Sequence, residues 1–213
     1  MENLYPIYLK LAGQLCLVVG GGKVAERKVG SLLECGARVR LVSPAVTSQI
    51  EEWANQGKLE LRQRQYQTGD LEGAFLVFAA TNQEEVNRRV SEECLSRNLA
   101  VNVVDDPPRC NFFVPSVIRR GKLSIAISTS GASPALAAKI RRQLERQFGP
   151  EYEEFMEILA DLRRQVLAGE ADIQQRKQIF SHLVESDILD LLRKKKYDQV
   201  KERIQNAYRG NRS

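Results

Sequence analysis

The chain has 213 residues, of which 43% are hydrophobic and 28% charged, and it carries a net charge of +5. That composition belongs to a folded protein with a sizeable core, and it excludes collagen-like and disordered chains. No run of about 18 apolar residues exists, so no membrane span is expected. The first residues lack a basic region before an apolar stretch, so no signal peptide is expected either. The four cysteines, Cys16, Cys35, Cys94 and Cys110, are far apart and form no C-x-x-C pair. Reduced thiols in a cytoplasmic protein are the simpler reading. With one histidine, His182, a permanent metal site is not expected.

Residues 15–42 read as a strand, a helix and a second strand. Leu15-Cys16-Leu17-Val18-Val19 is a continuous apolar run, as in a strand buried on both faces. Gly20-Gly21-Gly22 follows, and Val24, Ala25, Val29, Leu32 and Leu33 then recur at helical spacing. Gly36 ends that helix, and Val39, Leu41 and Val42 make the next strand. A short strand is expected around Leu59-Glu60-Leu61. Phe75 to Ala79 is another buried strand. A helix from about Gln83 to Arg97 carries Val86, Val90, Cys94 and Leu95 on one face, and Ala100 to Val104 is a further strand. Strands alternating with helices predict a parallel sheet wrapped by helices.

After Pro108 the rhythm changes. Leu123–Ile127 alternates as a strand. Ser133-Pro134 opens a helix with Leu136, Ala137, Ile140 and Leu144 on one face. Gly149-Pro150 breaks the chain, and the remainder reads as helical. Tyr152, Phe155, Met156, Leu159, Leu162 and Val166 share a stripe, and Ser186 caps an apolar helix starting at Ile188. The fold class is therefore α/β, a Rossmann-type doubly wound parallel sheet at 1–113. A small α+β segment follows at 114–150, then a C-terminal helical domain at 151–213. The positive charge is concentrated in 114–150, which holds seven basic side chains and one acidic. Such a patch attracts a polyanion, or it is simply a solvated helix face.

Four motifs can carry chemistry. Gly20-x-Gly22-x-x-Ala25 lies between a strand and a helix, the context in which this spacing binds a dinucleotide. Gly20 permits the tight turn, Gly22 lets backbone approach a pyrophosphate, and Ala25 lets helix and strand pack closely. The acidic residue that usually binds the adenosine ribose should end the second strand; Ser43-Pro44 stands there instead. Arg40 is nearby but lies in the strand and is not read as a 2′-phosphate binder. Ala79-Ala80-Thr81-Asn82 ends a core strand with small residues, beside which a cofactor can lie, or it is a simple turn. Asn102-Val103-Val104-Asp105-Asp106 sets two carboxylates at a strand end; mutual repulsion would raise one pKa and fit it for proton exchange, unless both serve only the turn before Pro107. Ser128-Thr129-Ser130-Gly131-Ala132-Ser133, before a basic helix, offers hydroxyls and N–H groups to an anion, or is an ordinary cap.

Taken together, Gly20 to Lys28, Ala79-Ala80-Thr81, Asn102 to Asp105, Phe113-Val114-Pro115-Ser116 and Ser128 to Pro134 resemble the precorrin-2 dehydrogenase family, also found as the N-terminal part of siroheme synthase. The resemblance covers about residues 5–150 and extends loosely over the helical tail. It implies NAD-dependent oxidation of precorrin-2 to sirohydrochlorin. In some members, insertion of ferrous iron as a second substrate follows. It also implies a homodimer built through the segment after the Rossmann domain, with the active site in a cleft shared by subunits. Cofactor contacts would fall on Gly20, Gly22, Lys23, Val24, Ser43, Pro44, Ala45, Ala80, Thr81 and Asn102. The catalytic aspartate would be Asp105. Because precorrin-2 is a polycarboxylate, Arg119, Arg120 and Lys122, with Ser128, Ser130 and Ser133, are expected to hold it. A non-catalytic NAD-sensing dimer is the alternative reading. Nucleic-acid binding is not expected, because no helix-turn-helix, zinc finger or aromatic platform is visible.

Overall fold

In a computed structural model, residues 3–168 and 172–209 are described. The chain divides into two compact units, Met1–Val114 and Pro115–Ser213. The segments 114–150 and 151–213, read separately from the sequence, fall in the second unit together.

The first unit is built on β1 (Leu15–Val19), β2 (Arg38–Val42), β3 (Leu59–Arg62), β4 (Leu76–Ala79) and β5 (Ala100–Val103). All four pairings are parallel, in the order β3-β2-β1-β4-β5. The order reverses at β1, so the carboxyl ends of β1 and β4 flank a switch point where ligands bind in such sheets. Helices α1 (Lys23–Glu34), α2 (Ser48–Asn55) and α3 (Glu84–Ser96) cover the two faces. Cys16, Val18, Val39, Leu41 and Phe78 face Ala25, Val29 and Leu32 of α1 and Ile50 of α2. Leu17, Val19, Val77, Val101 and Val103 face Val90 and Cys94 of α3. Every residue of β1 is buried, which is why its sequence is apolar without alternation.

Three local differences from the sequence reading have physical causes. Helix α2 is absent from that reading because Ile50 is its only buried residue, too little for a visible stripe. Leu95, assigned to the buried face of α3, is 46% exposed; Asn87 and Ser91 lie inside instead. Phe75 stands outside β4 and is also exposed.

A buried polar knot fixes the chain after β3. Asp70 is 0% exposed. Its Oδ1 accepts from Arg62 Nη1 and Arg64 Nη2, both at 2.6 Å. Its Oδ2 accepts from Arg64 Nη1 at 2.7 Å and from the Gln67 N–H at 2.9 Å. Burial by itself would raise the Asp70 carboxyl, but the hydrogen bonds from Arg64, the Gln67 N–H and Arg62 outweigh it and hold the group well below the usual carboxylate range.

The second unit opens with an antiparallel hairpin, β6 (Ser116–Arg120) and β7 (Leu123–Ile127). Helix α4 (Pro134–Gln147) packs on the hairpin, with Ser133 Oγ accepting from the Leu136 N–H at 3.2 Å as its cap. Helices α5 (Glu151–Ala168), α6 (Ile173–Glu185), α7 (Ile188–Arg193) and α8 (Tyr197–Arg209) enclose a separate core of Phe155, Leu162, Val166, Ile179, Leu183, Ile188, Leu191 and Leu192. Arg193 Nη2 reaches back to Glu151 Oε1 at 2.7 Å, tying α7 to the start of α5. Among the described residues no helix is long and apolar enough to cross a membrane.

Asp70→Asn is expected to destabilise the first unit by about 2 kcal/mol near neutral pH, less than for a fully buried pair because both arginines stay partly exposed. A carboxyl with a lowered folded pKa stabilises above its unfolded pKa of about 4 and loses that contribution as pH falls toward the folded value. Denaturant titrations should therefore show the gap between wild type and variant at about pH 7 and its shrinkage at about pH 3. An equal gap at both pH values would contradict the assignment.

Candidate cofactor-binding cleft

A cleft of about 700 Å³ opens at the carboxyl ends of the parallel strands. Its walls are the turn after β1, the segment 42–47 after β2, Gln65 and Tyr66 after β3, residues 80–83 after β4, and Val104-Asp105 after β5.

The glycine turn is shaped by what each missing side chain would meet. Gly20 has φ +122°, and a Cβ there would lie 2.3 Å from the Ala80 carbonyl oxygen. A Cβ on Gly21 would lie 2.0 Å from the Ala45 carbonyl oxygen and 2.8 Å from Ser43 Oγ. The middle glycine is therefore as necessary as the first, a role that the G-x-G spacing does not report. Gly22 differs: nothing lies within 4 Å of its Cβ position. It caps α1 without a side-chain hydrogen bond, so the helix N-terminus faces the open cleft with its N–H groups unscreened. This is the cradle that a pyrophosphate requires, and the residues present fit a dinucleotide.

The other expected cofactor residues divide. Lys23, Val24, Ser43, Pro44, Ala45, Ala80 and Thr81 all line the cleft. Lys23 Nζ pairs with Glu26 Oε2 at 3.0 Å. Ser43 Oγ donates to the Ala45 carbonyl at 2.7 Å, which shapes the loop rather than offering a hydroxyl. Thr81 Oγ1 donates to Asn87 Oδ1 at 2.8 Å, so the buried Asn87 holds the turn after β4. Asn102 does not line the cleft. Its Nδ2 donates to the Phe112 carbonyl at 3.1 Å, which binds the chain after β5 to the sheet edge. Arg40 stays out as well: its Nε pairs with Glu60 at 2.9 Å, and its Nη1 caps the Asp70 and Glu72 carbonyls.

Asp105 lines the cleft with φ +61°, a conformation rare outside glycine that Asp tolerates. Its carboxylate makes no hydrogen bond or ion pair with the described residues. The neighbouring Asp106 is paired with Arg109. The sequence reading of two mutually repelling carboxylates is thereby corrected, since the Arg109 charge satisfies one of them. Cys110 anchors the same strand end: its Sγ accepts from the Val103 N–H at 3.1 Å.

The residues expected to hold a polycarboxylate do not cluster. Arg119, Arg120 and Lys122 lie at the turn end of the β6–β7 hairpin, whereas Ser128, Ser130 and Ser133 follow β7 at its other end, roughly 15 Å away for a five-residue strand. Arg120 is committed elsewhere. Its Nε donates to the Phe148 carbonyl at 2.9 Å and its Nη2 to the Glu145 carbonyl at 3.3 Å, closing the carboxyl end of α4. Ser128 Oγ accepts from the Ser130 N–H at 3.1 Å, and Ser133 is the helix cap. Arg119 and Lys122 remain at the surface. Among the described residues no cluster of three or more His, Cys, Asp or Glu could hold a metal ion.

A parallel sheet with this switch point, a glycine turn and an open helix N-terminus defines a Rossmann-type dinucleotide-binding domain. A family model described as "Putative NAD(P)-binding" matches residues 7–116, and the chain belongs to that family. A second model, "Sirohaem biosynthesis protein central", matches residues 120–147. The chain is similar to the siroheme synthase of Thioalkalivibrio sulfidiphilus, 35% identical over 205 residues, covering 96% of this chain and 42% of that protein. It is 40% identical over 177 residues to the siroheme synthase of Methylobacillus flagellatus, covering 83% and 38%. The chain thus spans about two-fifths of the length of these curated relatives. Among solved structures, SirC, a precorrin-2 dehydrogenase, matches with a TM-score of 0.79 and 27% identity, over 93% of this chain and all of that one.

Two glycine variants separate folding from binding. Gly21→Ala should destabilise the protein by about 2 kcal/mol or more through its clash with the Ala45 carbonyl. Gly22→Ala should change stability by less than about 0.5 kcal/mol yet weaken nicotinamide dinucleotide binding by about tenfold or more. Denaturant titration and equilibrium binding read the two effects; unchanged affinity in Gly22→Ala would contradict the cradle.

Proposed function

We propose that this chain oxidises precorrin-2 to sirohydrochlorin with NAD, in the biosynthesis of siroheme. The observation that carries the reading is Asp105, a carboxylate without a partner among the described residues, presented into a dinucleotide cleft at the end of β5. The chain-length likeness to SirC supports the same reaction.

The chemistry supplied by a bound nicotinamide is hydride acceptance. The rest falls to this chain. The turn Gly20–Val24 and the start of α1 hold the pyrophosphate. Ser43-Pro44-Ala45 and Ala80-Thr81 border the two halves of the dinucleotide. Asp105 takes the proton that must leave the macrocycle with the hydride, or orients the ring for its departure. With Asp106 neutralised by Arg109, Asp105 acts as a single base at the strand end.

The cofactor reading is NAD rather than NADP. Only Lys23 and Asp105 are charged among the residues lining the cleft, and Arg40 is spent on Glu60 and two carbonyls. Among the described residues that line the cleft, no guanidinium follows β2 to meet a 2′-phosphate.

The basic segment, with Arg119 and Lys122 exposed at its hairpin turn, carries the kind of positive charge that a polycarboxylate substrate calls for. A homodimer formed through this segment is part of the proposal. In support, Val117, Leu123, Ile125 and Ile127 stay only half-buried although α4 packs on the hairpin, which leaves apolar surface for a second copy to cover. Ferrous iron would be a second substrate, with Asp105 also accepting a pyrrole proton. Four free thiols suit a cytoplasmic setting.

Asp105→Asn should lower turnover of precorrin-2 by about a hundredfold or more while NAD affinity stays within about twofold. Wild-type activity in this variant, measured anaerobically, would remove Asp105 from the mechanism. In the same assay NADP should support little turnover; equal use of both cofactors would overturn the NAD assignment.

A further inference from the structure

Two polar braces hold the loop after β3. Asp70 binds Arg62, Arg64 and the Gln67 N–H on one side. On the other, the Tyr66 hydroxyl donates to Glu93 Oε2 at 2.7 Å, and Thr68 Oγ1 donates to Glu93 Oε1 at 2.9 Å. Arg89 donates to the same carboxylate at 2.9 Å and lies over the Tyr66 ring, 5.4 Å from its centroid. Gln65 and Tyr66 stand between the braces and line the cleft. Fixing a surface loop in this way costs conformational entropy, and what it returns is a rigid wall for a ligand.

The topology assigns that wall to one half of the dinucleotide. The ends of β2 and β3 lie on one side of the glycine turn, and those of β4 and β5 on the other. The reacting ring belongs with Asp105 on the β5 side, so the adenosine belongs with β2 and β3. The polar side chains lining that end are Ser43, Thr47, Gln65 and Tyr66. Ser43 is spent on the Ala45 carbonyl, Thr47 on the Ile50 N–H as the cap of α2, and Tyr66 on Glu93. The backbone carbonyl of Gln65 is held by Arg64 Nη1 at 2.9 Å, but its side-chain amide has no partner among the described residues.

We infer that the Gln65 amide is the adenine-reading group of this cleft, with Tyr66 as a fixed apolar floor. The inference rests on the nicotinamide-dinucleotide reading of the cleft. A carboxamide carries one acceptor and one donor side by side. Its oxygen accepts from the adenine N6 amino group while its nitrogen donates to N7, a two-bond match that a 6-oxo purine cannot make. Gln65 thereby supplies base selectivity at the end of the cleft where the ribose-binding acid is missing.

The test compares binding of NAD with that of nicotinamide hypoxanthine dinucleotide, which has an oxygen in place of the amino group. Wild type should bind NAD about tenfold more tightly. Gln65→Ala should lose that preference by weakening NAD and leaving the analogue nearly unchanged, with an unaltered thermal midpoint because Gln65 is exposed. Equal wild-type affinities, or discrimination that persists in Gln65→Ala, would overturn the Gln65 assignment alone. Failure of wild type to bind either dinucleotide would overturn the cofactor reading and this inference together.

Discussion

The constraint on which this structure depends is the approach of three backbones at the end of β1. The turn after that strand touches the carbonyl of Ala80 on one side and that of Ala45 on the other, at distances that leave no room for a single carbon atom. Residues Gly20 and Gly21 allow the contact, and the ends of β2 and β4 are drawn in around it. The same approach leaves Gly22 facing open space at the first turn of α1. The cleft is thus a by-product of tight packing on two sides and none on the third. The helix end there is suited to an anion, because Gly22 caps α1 without a side-chain hydrogen bond.

The acidic groups around the cleft are treated in opposite ways. Asp70 is buried and satisfied by two guanidinium groups and a backbone N–H, and it serves structure. Glu93 is shared among Tyr66, Thr68 and Arg89. Asp106 has Arg109. Asp105 alone is presented to the cleft without a partner among the described residues, on a backbone held to the sheet edge by Cys110 and Asn102. A carboxylate left available where all its neighbours are spent is suited to proton exchange.

Legibility in the sequence followed the strength of the local pattern. The β1–α1–β2 unit was plain, because an unbroken apolar run, three glycines and a helical repeat stand together. Strand β6 was not, since Ser116-Val117-Ile118-Arg119-Arg120 carries no alternation and ends in two charges. The glycine turn and Asp105 could be located by motif and by strand end. Gln65 and Tyr66 could not, because their place is set by Asp70 and Glu93, one five residues downstream of Gln65 and the other on α3. Arg120 and Asn102 misled for a related reason. Charge and polarity are visible in a sequence, but whether a carbonyl inside the fold already claims them is not.

The measurement that bears most directly on the account is anaerobic incubation with enzymatically made precorrin-2, with and without NAD, following NADH and sirohydrochlorin together. The account predicts that both appear in equal amounts and only when the dinucleotide is present. Tight NAD binding with neither product formed would contradict it, and would leave a dinucleotide-binding protein that senses its ligand without chemistry.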